Sequence, residues 1–324
     1  MGHPPNTYSL VADIGGTNTR VALAEGRRIL GDTIRRYANK DFPGLESVLR
    51  RYSADEGGVD AKAACVAVAG PVRDGRATMT NLDWTIDKDT LARATGAETV
   101  AILNDLQAQG HALGHIEPAN IRQVLPGQNP QPHAAKLVVG VGTGFNAAPV
   151  FDLEGGRVVP PSESGHANLP VRDAMELRLC QFVSTAHGFP AVEDVLSGRG
   201  LERVYAFLGQ EAGDPREMAA KEIMAACADD SDDRAAAAAR LFTRMLGTVC
   251  GNLALIQLPF GGVYLVGGVA RAFGPHLSRF GFGDAFRDKG RFAGFMGNFP
   301  VSVVEDDYAA LTGSAAHLVA LLEG

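Results

Sequence analysis

The chain has 324 residues, of which 46% are apolar and 21% charged, so it can form two domains with ordinary hydrophobic cores. Its formal net charge of −7 argues against non-specific nucleic-acid binding, which depends on a clustered cationic surface. No apolar stretch approaches the roughly 20 residues that span a bilayer, and the first residues lack the pattern of a secretory signal, so we expect a cytoplasmic protein without a membrane partner.

The four cysteines lie at positions 65, 180, 227 and 250, far apart and without Cys-x-x-Cys spacing. In a chain of this length, such spacing is typical of reduced structural thiols. We therefore expect neither a disulfide nor a cysteine-based zinc site.

The first half of the chain is predicted to alternate strands with helices. Short glycine-containing links between the first three strands indicate an antiparallel meander. Apolar residues at helical spacing mark the first helix. The predicted elements are strands at 8–14, 20–24 and 28–37, a helix at 44–54, a strand at 63–69, a helix at 90–95 after the N-cap Asp87, and a strand at 99–103.

The second half begins with a strand, a glycine-rich turn and another strand. Residues 137–150 align without gaps on residues 10–23, which predicts two related domains that each present a glycine hairpin to a shared cleft. The alternative is that any two hairpins look alike over this length. The predicted elements are strands at 136–141 and 145–152, a long helix at 231–257, a strand at 262–266 and a closing helix at 309–322.

The turn Asp13-Ile-Gly-Gly-Thr-Asn18 has the composition of a phosphate-binding turn. Gly15 and Gly16 can adopt positive φ and let a ligand approach the backbone closely. Successive N–H groups in such a turn bind phosphate oxygens, and Asp13 can hold Mg²⁺ directly or through water. The alternative is an ordinary tight hairpin, which needs only one glycine.

Two further glycine motifs are candidates for nucleotide contacts, although neither is specific alone. Gly142-Thr143-Gly144 would form a second phosphate clamp, and Gly267-Gly268 would let a nucleotide lie against bare backbone. The position that corresponds to Asp13 in the second hairpin is glycine, so only the first hairpin offers a metal ligand. The P-loop pattern is absent from the sequence, and Gly140-Val-Gly142 does not continue into the dinucleotide-binding fingerprint, because Phe145 stands where the last glycine is needed.

Asn104-Asp105, at the end of the strand at 99–103, is the clearest candidate for catalysis. Ligands bind at the carboxyl ends of parallel strands, where a carboxylate can accept a proton from a substrate hydroxyl. The alternative is that the pair only caps the helix that begins near Leu106, as Asn and Asp commonly do. Both interpretations stay open at this point.

Three more polar residues lie in loops. Glu163 and His166 occur in Pro-Ser-Glu-Ser-Gly-His, and Glu193 precedes Val195-Leu-Ser-Gly198, where a loop is expected to lead into a helix. Carboxylates accept hydrogen bonds from the adjacent hydroxyls of a sugar, whereas a lone histidine is more often structural than a ligand. These residues become a site only if the fold brings them together.

Taken together, these motifs resemble the bacterial, proteobacterial-type ATP-dependent glucokinases of the hexokinase–actin–sugar-kinase superfamily. The match covers nearly the whole chain with its landmarks in order, which makes it far more specific than any single motif. The matching segments are Ala12-Asp-Ile-Gly-Gly-Thr-Asn-x-Arg20, Ala69-Gly-Pro71, Met79-Thr-Asn81 with Trp84, Leu103-Asn-Asp105, Gly142-Thr-Gly144, Glu163-x-Gly-His166, Glu193-x-Val-Leu-Ser-Gly198, Gly251-Asn-Leu-Ala-Leu255, Phe260-Gly-Gly-Val263 with Gly267-Gly268, and Phe286-x-Asp-Lys-Gly-Arg-Phe292.

The resemblance implies an α/β fold of the two-domain, ribonuclease H-like (actin/hexokinase) type with an inter-domain cleft. It implies a smaller domain at 1–115 plus 306–324 and a larger one at 116–305. It also implies a glucokinase that uses ATP and Mg²⁺ to phosphorylate the 6-hydroxyl of glucose, with Asp105 as the general base. The residues that it assigns to the sugar are Asn104, Asp105, Glu163, His166 and Glu193, and those that it assigns to the ATP loop are Ala12, Asp13, Ile14, Gly15, Gly16 and Thr17.

Two departures from the family pattern leave the exact sugar open. The family usually has glycine at the positions of Ser162 and Ser164, and Gly-Thr-Gly-Leu-Gly where this chain has Gly142-Thr-Gly-Phe-Asn146. We expect Phe145 and Asn146 to alter the phosphate clamp or nearby packing, and the two serines to reshape the sugar pocket.

Other functions compatible with this fold are a kinase for another hexose or amino sugar, a non-catalytic sugar sensor or repressor, and a polyphosphate or ATP hydrolase. A repressor would need an added DNA-binding module, and the first predicted strand begins at about Tyr8, so we expect none. Whether the chain forms a homodimer stays open.

Overall fold

The computed structural model describes residues 3–79, 82–128 and 133–323. The chain divides into two compact units. The first comprises Met1–Pro118, Gly155–Pro161 and Asp306–Gly324, and the second comprises Ala119–Glu154 and Ser162–Glu305. Thr80 and Asn81, which belong to one of the family-like motifs, lie outside the described residues.

The elements are numbered in chain order. The strands are β1 Ser9–Ile14, β2 Asn18–Glu25, β3 Arg28–Ile29, β4 Arg35–Ala38, β5 Ala63–Val68, β6 Val72–Arg73, β7 Arg76–Thr78, β8 Thr85–Asp87, β9 Thr99–Asn104, β10 Ile121–Leu125, β11 Lys136–Val141, β12 Phe145–Leu153, β13 Gly156–Val158, β14 Val263–Val266 and β15 Val301–Val304. The helices are α1 Leu45–Asp55, α2 Lys88–Thr95, α3 Asp105–Ala112, α4 Ala174–His187, α5 Val192–Val195, α6 Gly198–Glu211, α7 Ala220–Ala228, α8 Asp233–Gln257, α9 Gly268–Phe273, α10 Phe282–Arg287 and α11 Ala309–Glu323.

The first unit is built on a sheet in the strand order β3-β2-β1-β5-β9, with β4 also paired to β2. Strands β1 and β5 are buried at nearly every position because both faces of the sheet are covered. On one face, Leu10 and Val66 belong to the same core as α1 and α2. On the other face, Val11 and Cys65 pack in a core with Leu311 of α11.

The second unit contains a sheet with the strand order β10-β15-β14-β11-β12, together with helices α4 to α10. The long helix α8 is buried along much of its length and packs against α6, α7 and α10. The core around this helix includes a stacked aromatic pair, Phe242 and Phe273, whose ring centroids are 4.6 Å apart. The second unit therefore has its own hydrophobic core.

The two sheets repeat one pairing pattern. In the first, β1 is antiparallel to β2 and parallel to β5, which is parallel to β9. In the second, β11 is antiparallel to β12 and parallel to β14, which is parallel to β15. The predicted internal similarity of residues 10–23 and 137–150 is therefore confirmed, as is the α/β class.

The strand predicted at 28–37 is wrong as a single element. The chain forms β3, then a short 3₁₀ turn at Gly31–Thr33, then β4, and both strands pair with β2. The Thr33 hydroxyl accepts a hydrogen bond from the Leu23 N–H at 3.0 Å and donates one to the Leu30 carbonyl oxygen at 2.7 Å. These two hydrogen bonds stabilise the 3₁₀ turn that separates β3 from β4.

All four cysteines are free thiols. Within the described ranges 3–79, 82–128 and 133–323, the helices are too short or too polar to cross a bilayer.

Candidate functional site

The glycine turn of the first unit joins β1 to β2. The Gly15 N–H donates to the Asn18 carbonyl oxygen at 3.0 Å. Gly16 and Thr17 are exposed and therefore accessible to a ligand. Neither glycine has a positive φ, so the expected freedom to adopt that conformation is not used in this turn.

Asn39 braces this turn, and sequence reasoning missed it. Its side-chain amide donates to the Gly15 carbonyl oxygen at 2.8 Å, and its backbone N–H donates to the Thr17 carbonyl oxygen at 2.9 Å. The Thr19 hydroxyl in turn donates to the Asn39 side-chain oxygen at 2.8 Å. Asn39 thus occupies two carbonyl oxygens that would otherwise repel a phosphate, which suits the turn to anion binding.

Asp13, near the end of β1, accepts a hydrogen bond from Arg20 at 3.2 Å, and its side chain is only 17% exposed. Burial raises the pKa of Asp13, because it removes the charged form from water, and Arg20 offsets part of that rise.

Direct metal binding at Asp13 must compete with Arg20 for one carboxylate oxygen. Across the three described ranges, no group of three or more His, Cys, Asp and Glu side chains could hold a metal ion. This donor set fits Mg²⁺ that takes most of its ligands from substrate phosphates and water, with Asp13 contributing through water.

Three parallel strands of the first unit end at the same edge. Ile14 of β1 is in register with Val68 of β5, and Val68 with Asn104 of β9. The turn residue Gly15 and the acid Asp105 follow those strand ends directly. Neighbouring strands lie about 4.8 Å apart, so the turn and Asp105 stand roughly 10 Å apart along that edge.

Asn104 caps helix α3, as the alternative interpretation predicted. Its side-chain oxygen accepts from the Leu106 N–H at 2.9 Å, and the Gln107 side chain returns to the Asn104 N–H at 3.0 Å. The Asn104 amide also donates to the Gly70 carbonyl oxygen at 2.9 Å. Half-buried Asp105 is thereby fixed as the first residue of α3, where the helix N-terminus favours a carboxylate.

The glycine turn of the second unit joins β11 to β12. The Gly142 N–H donates to the Gly144 carbonyl oxygen at 2.9 Å, and the Gly142 carbonyl oxygen accepts from the N–H of Gly198, the first residue of α6, at 2.9 Å. Gly267 lies against the same hairpin, since a Cβ there would stand 2.6 Å from the Val141 carbonyl oxygen. The second unit thus brings together two of the predicted nucleotide motifs.

Glu193, on α5, reaches the same turn. Its Oε2 accepts from the Phe145 N–H at 2.9 Å, and a Cβ on Gly144 would lie 2.4 Å from that oxygen. Glu163 and His166 lie 3.9 Å apart at the ends of a short turn, and both side chains are more than 60% exposed. That pair is too long and too exposed to hold the loop by itself.

A concave pocket of about 330 Å³ in the second unit is lined by His166, Glu193 and Asp194, together with Ser197, Arg199 and Arg203. A larger pocket of about 610 Å³ in the same unit lies among α4, α8 and α10 and contains no predicted site residue. The smaller pocket is therefore the candidate site, because it gathers two of the predicted sugar residues.

In comparisons with known proteins, this chain is similar to glucokinases. The family model for glucokinase matches residues 10–321. A glucokinase of Saccharophagus degradans is 33% identical over 313 residues, which span 95% of this chain and 97% of that protein. The crystal structure of a glucokinase from an Antarctic psychrotroph is 28% identical, with a TM-score of 0.84 over 96% of this chain and 98% of that one. A Balamuthia mandrillaris glucokinase solved with glucose has the same fold, with a TM-score of 0.79 at 23% identity over 97% of this chain and 94% of that one.

Proposed function

Because this chain belongs to the glucokinase family, we propose that Asp105 is the general base that takes the proton of the 6-hydroxyl of glucose. The activity follows from the family: the protein is an ATP-dependent sugar kinase, and its substrate is glucose. The proposal concerns the residues that perform the transfer and the position of the hydroxyl that reacts.

The proposed reaction is an in-line transfer. The 6-hydroxyl oxygen forms a bond to the γ-phosphorus, the bond from that phosphorus to the β,γ-bridging oxygen breaks to release ADP, and the hydroxyl proton goes to the Asp105 carboxylate. Such transfers have a loose transition state, so that positioning and charge neutralisation supply most of the catalysis. The register of β1, β5 and β9 supports this assignment, because Asp105 and the Gly15–Gly16 turn follow strand ends at one edge.

Five residues are proposed for the sugar. Asn104 and Asp105 come from the first unit, and Glu163, His166 and Glu193 from the second. Three carboxylates suit the adjacent hydroxyls of a hexose, each of which donates one hydrogen bond. The contact between Glu193 and the turn before Phe145 supports a sugar site beside a phosphate site.

The glycine turns are proposed to hold ATP. The residues are Ala12, Asp13, Ile14, Gly15, Gly16 and Thr17 of the first hairpin, Gly142, Thr143 and Gly144 of the second, and Gly267 and Gly268 after β14. Mg²⁺ would neutralise phosphate charge when it is bound, and Asp13 would hold it through water. We also propose that the enzyme acts in the cytoplasm.

The test of the assignment is Asp105→Asn, which keeps the size of the side chain and removes its basicity. We expect kcat to fall by about 10²–10⁴-fold, with the KM values for glucose and ATP changed far less, because general-base removal acts on the transfer step. ADP formation is measured with glucose, mannose, fructose and glucosamine, and without sugar.

Asp89→Asn is the matched control, since Asp89 is an exposed acid in the first turn of α2 and shares any helix-terminus effect. We expect it to retain full turnover. An Asp105→Asn enzyme with most of its turnover at saturating substrates would exclude the general base, and ADP formation independent of sugar would exclude glucose as the phosphoryl acceptor.

A further inference from the structure

Asn146, the second residue of β12, is bonded to the loop on both sides of Glu163. Its side-chain amide donates to the Ser162 carbonyl oxygen. Its side-chain oxygen accepts from the Ser164 N–H at 3.0 Å and from the Ser164 hydroxyl at 3.1 Å. A fourth bond, from the Ala147 N–H at 2.8 Å, fixes the side-chain oxygen against its own strand. One half-buried amide thus clamps the segment 162–166 to the sheet.

The neighbouring residue, Phe145, contacts both Glu193 and the 162–166 loop. Its N–H donates to Glu193, as described above. Its carbonyl oxygen lies so close to Gly165 that a Cβ there would stand 1.9 Å from it. The start of β12 therefore contacts Glu193 through Phe145 and the 162–166 loop through both residues.

The loop needs such an anchor. Glu163 and His166 are 61% and 66% exposed, and their mutual distance of 3.9 Å gives them little hold on each other. A loop that is disordered before binding loses conformational freedom when the ligand binds, and that loss weakens affinity. A loop that is already held by its backbone avoids most of the loss.

We propose that Asn146 is a positioning residue that pre-orders the 162–166 loop and thereby sets the affinity for glucose. The inference rests on the proposed role of Glu163 and His166 in sugar binding. It also relates the two departures from the family pattern to each other, since Asn146 bonds both Ser162 and Ser164. From the sequence, we expected Asn146 to alter the phosphate clamp or nearby packing. Its side-chain hydrogen bonds instead reach the 162–166 loop.

The test is Asn146→Ala, which removes the amide and keeps the Cβ. We expect the KM for glucose to rise about tenfold, while kcat and the KM for ATP stay within about twofold, because the loop is still able to adopt the bound geometry once the sugar is present. An unchanged KM for glucose, or a loss confined to kcat, would overturn the inference.

Asn298→Ala is the matched control. Asn298 is also half-buried in the second unit, and its amide donates to the Phe295 carbonyl oxygen at 2.8 Å in a turn that carries no site residue. We expect a comparable drop in melting temperature and an unchanged KM for glucose. A similar rise in KM for Asn298→Ala would show that the Asn146 effect is general destabilisation.

Glu163→Gln separates this inference from the proposed function. If both Glu163→Gln and Asn146→Ala leave the KM for glucose unchanged, the sugar role of the loop is wrong and the inference is wrong with it. If only Glu163→Gln raises it, the proposed function stands and the role of Asn146 is wrong.

Ser164→Ala adds a double-mutant cycle. The Ser164 hydroxyl donates to the Asn146 side-chain oxygen, so that Ser164→Ala should change the KM for glucose less in the Asn146→Ala background than in the native chain. Strictly additive effects on the logarithm of KM would contradict a role that runs through this contact.

Discussion

The Asp13 side chain is 17% exposed and pairs with Arg20. Burial raises the pKa of Asp13 above its ordinary value of 3.8, and Arg20 lowers it only in part. A carboxyl whose pKa is raised on folding contributes stability below its unfolded pKa, and that contribution is lost as the pH rises through the folded pKa. We therefore expect the melting temperature of Asp13→Asn to rise relative to that of the native chain as the pH rises above about 4, while phosphoryl transfer falls.

Asp55 provides a control of opposite sign. The hydrogen bond from the Tyr37 hydroxyl, together with Arg51, lowers the pKa of Asp55. Its contribution to stability is therefore present above the ordinary pKa and lost as the pH falls through the folded value. Asp55→Asn should therefore have a lower melting temperature than the native chain above about pH 4, and that difference should shrink as the pH falls below about 4. A fall for Asp13→Asn at pH 7 would mean that charged Asp13 stabilises the fold instead.

At the scale of single residues, the sequence predicted the groups that carry chemistry better than those that hold them. Asp13 and the glycine turn form a contiguous motif, so local composition was enough to find them. Asn39 lies 24 residues from Gly15 and reaches it only because β4 pairs with β2, with Ala38 opposite Asn18. No local pattern carries that register, and the same holds for the bond between Asn146 and the 162–166 loop.

At the scale of elements, the junction between β14 and α9 separates two roles of glycine. Gly267 has φ of +102°, and a Cβ there would lie 2.6 Å from the Val141 carbonyl oxygen, whereas a Cβ on Gly268 meets nothing within 4 Å. We expect Gly267→Ala to lower the free energy of unfolding by about 2 kcal/mol or more, and Gly268→Ala to change it by less than about 0.5 kcal/mol. Denaturant titration measures both.

Gly267→Ala and Gly268→Ala also form a matched pair of variants for testing ATP binding. If a nucleotide lies against the backbone at Gly268, the methyl group of Gly268→Ala should raise the KM for ATP several-fold without a matching change in stability or in the KM for glucose. An unchanged KM for ATP would remove Gly268 from the proposed nucleotide site, whatever the stability of Gly267→Ala.

The long helix was predicted close to its observed bounds, whereas the strand that a tertiary contact interrupts was not. The long helix predicted at 231–257 is present as α8, from Asp233 to Gln257. For helix α6, the sequence indicated only a junction between a loop and a helix near residues 195–198, although Leu201, Val204 and Tyr205 are buried at helical spacing. In the stretch predicted as one strand at 28–37, the Thr33 hydroxyl bonds to β2, a partner that no local window contains.

At the scale of the whole molecule, the internal repeat was the most informative signal in the sequence. Two short hairpins align over 14 residues, and each proves to lead into the same arrangement of parallel strands. A repeat constrains topology because both copies must bury equivalent faces, whereas a single hairpin is compatible with many sheets. The proposal that side chains of both units bind one sugar goes beyond this repeat, and a measurement that depends on ligand binding tests it.

That measurement is the thermal shift of the full chain with glucose. A ligand at a concentration about 100 times its dissociation constant stabilises the folded state by about 2.7 kcal/mol. The melting temperature should therefore rise with D-glucose and stay unchanged with L-glucose. Glu193→Gln retains an oxygen for the Phe145 N–H but lacks the carboxylate charge, so we expect it to lose most of the shift. Asp105→Asn should lose part of it, because a charged acceptor for the 6-hydroxyl is gone. A full shift in Asp105→Asn beside none in Glu193→Gln would mean that the charge of Asp105 is not needed for glucose binding, and Asp105 would then be removed from the proposed sugar-binding residues, its role as base being tested by kcat alone.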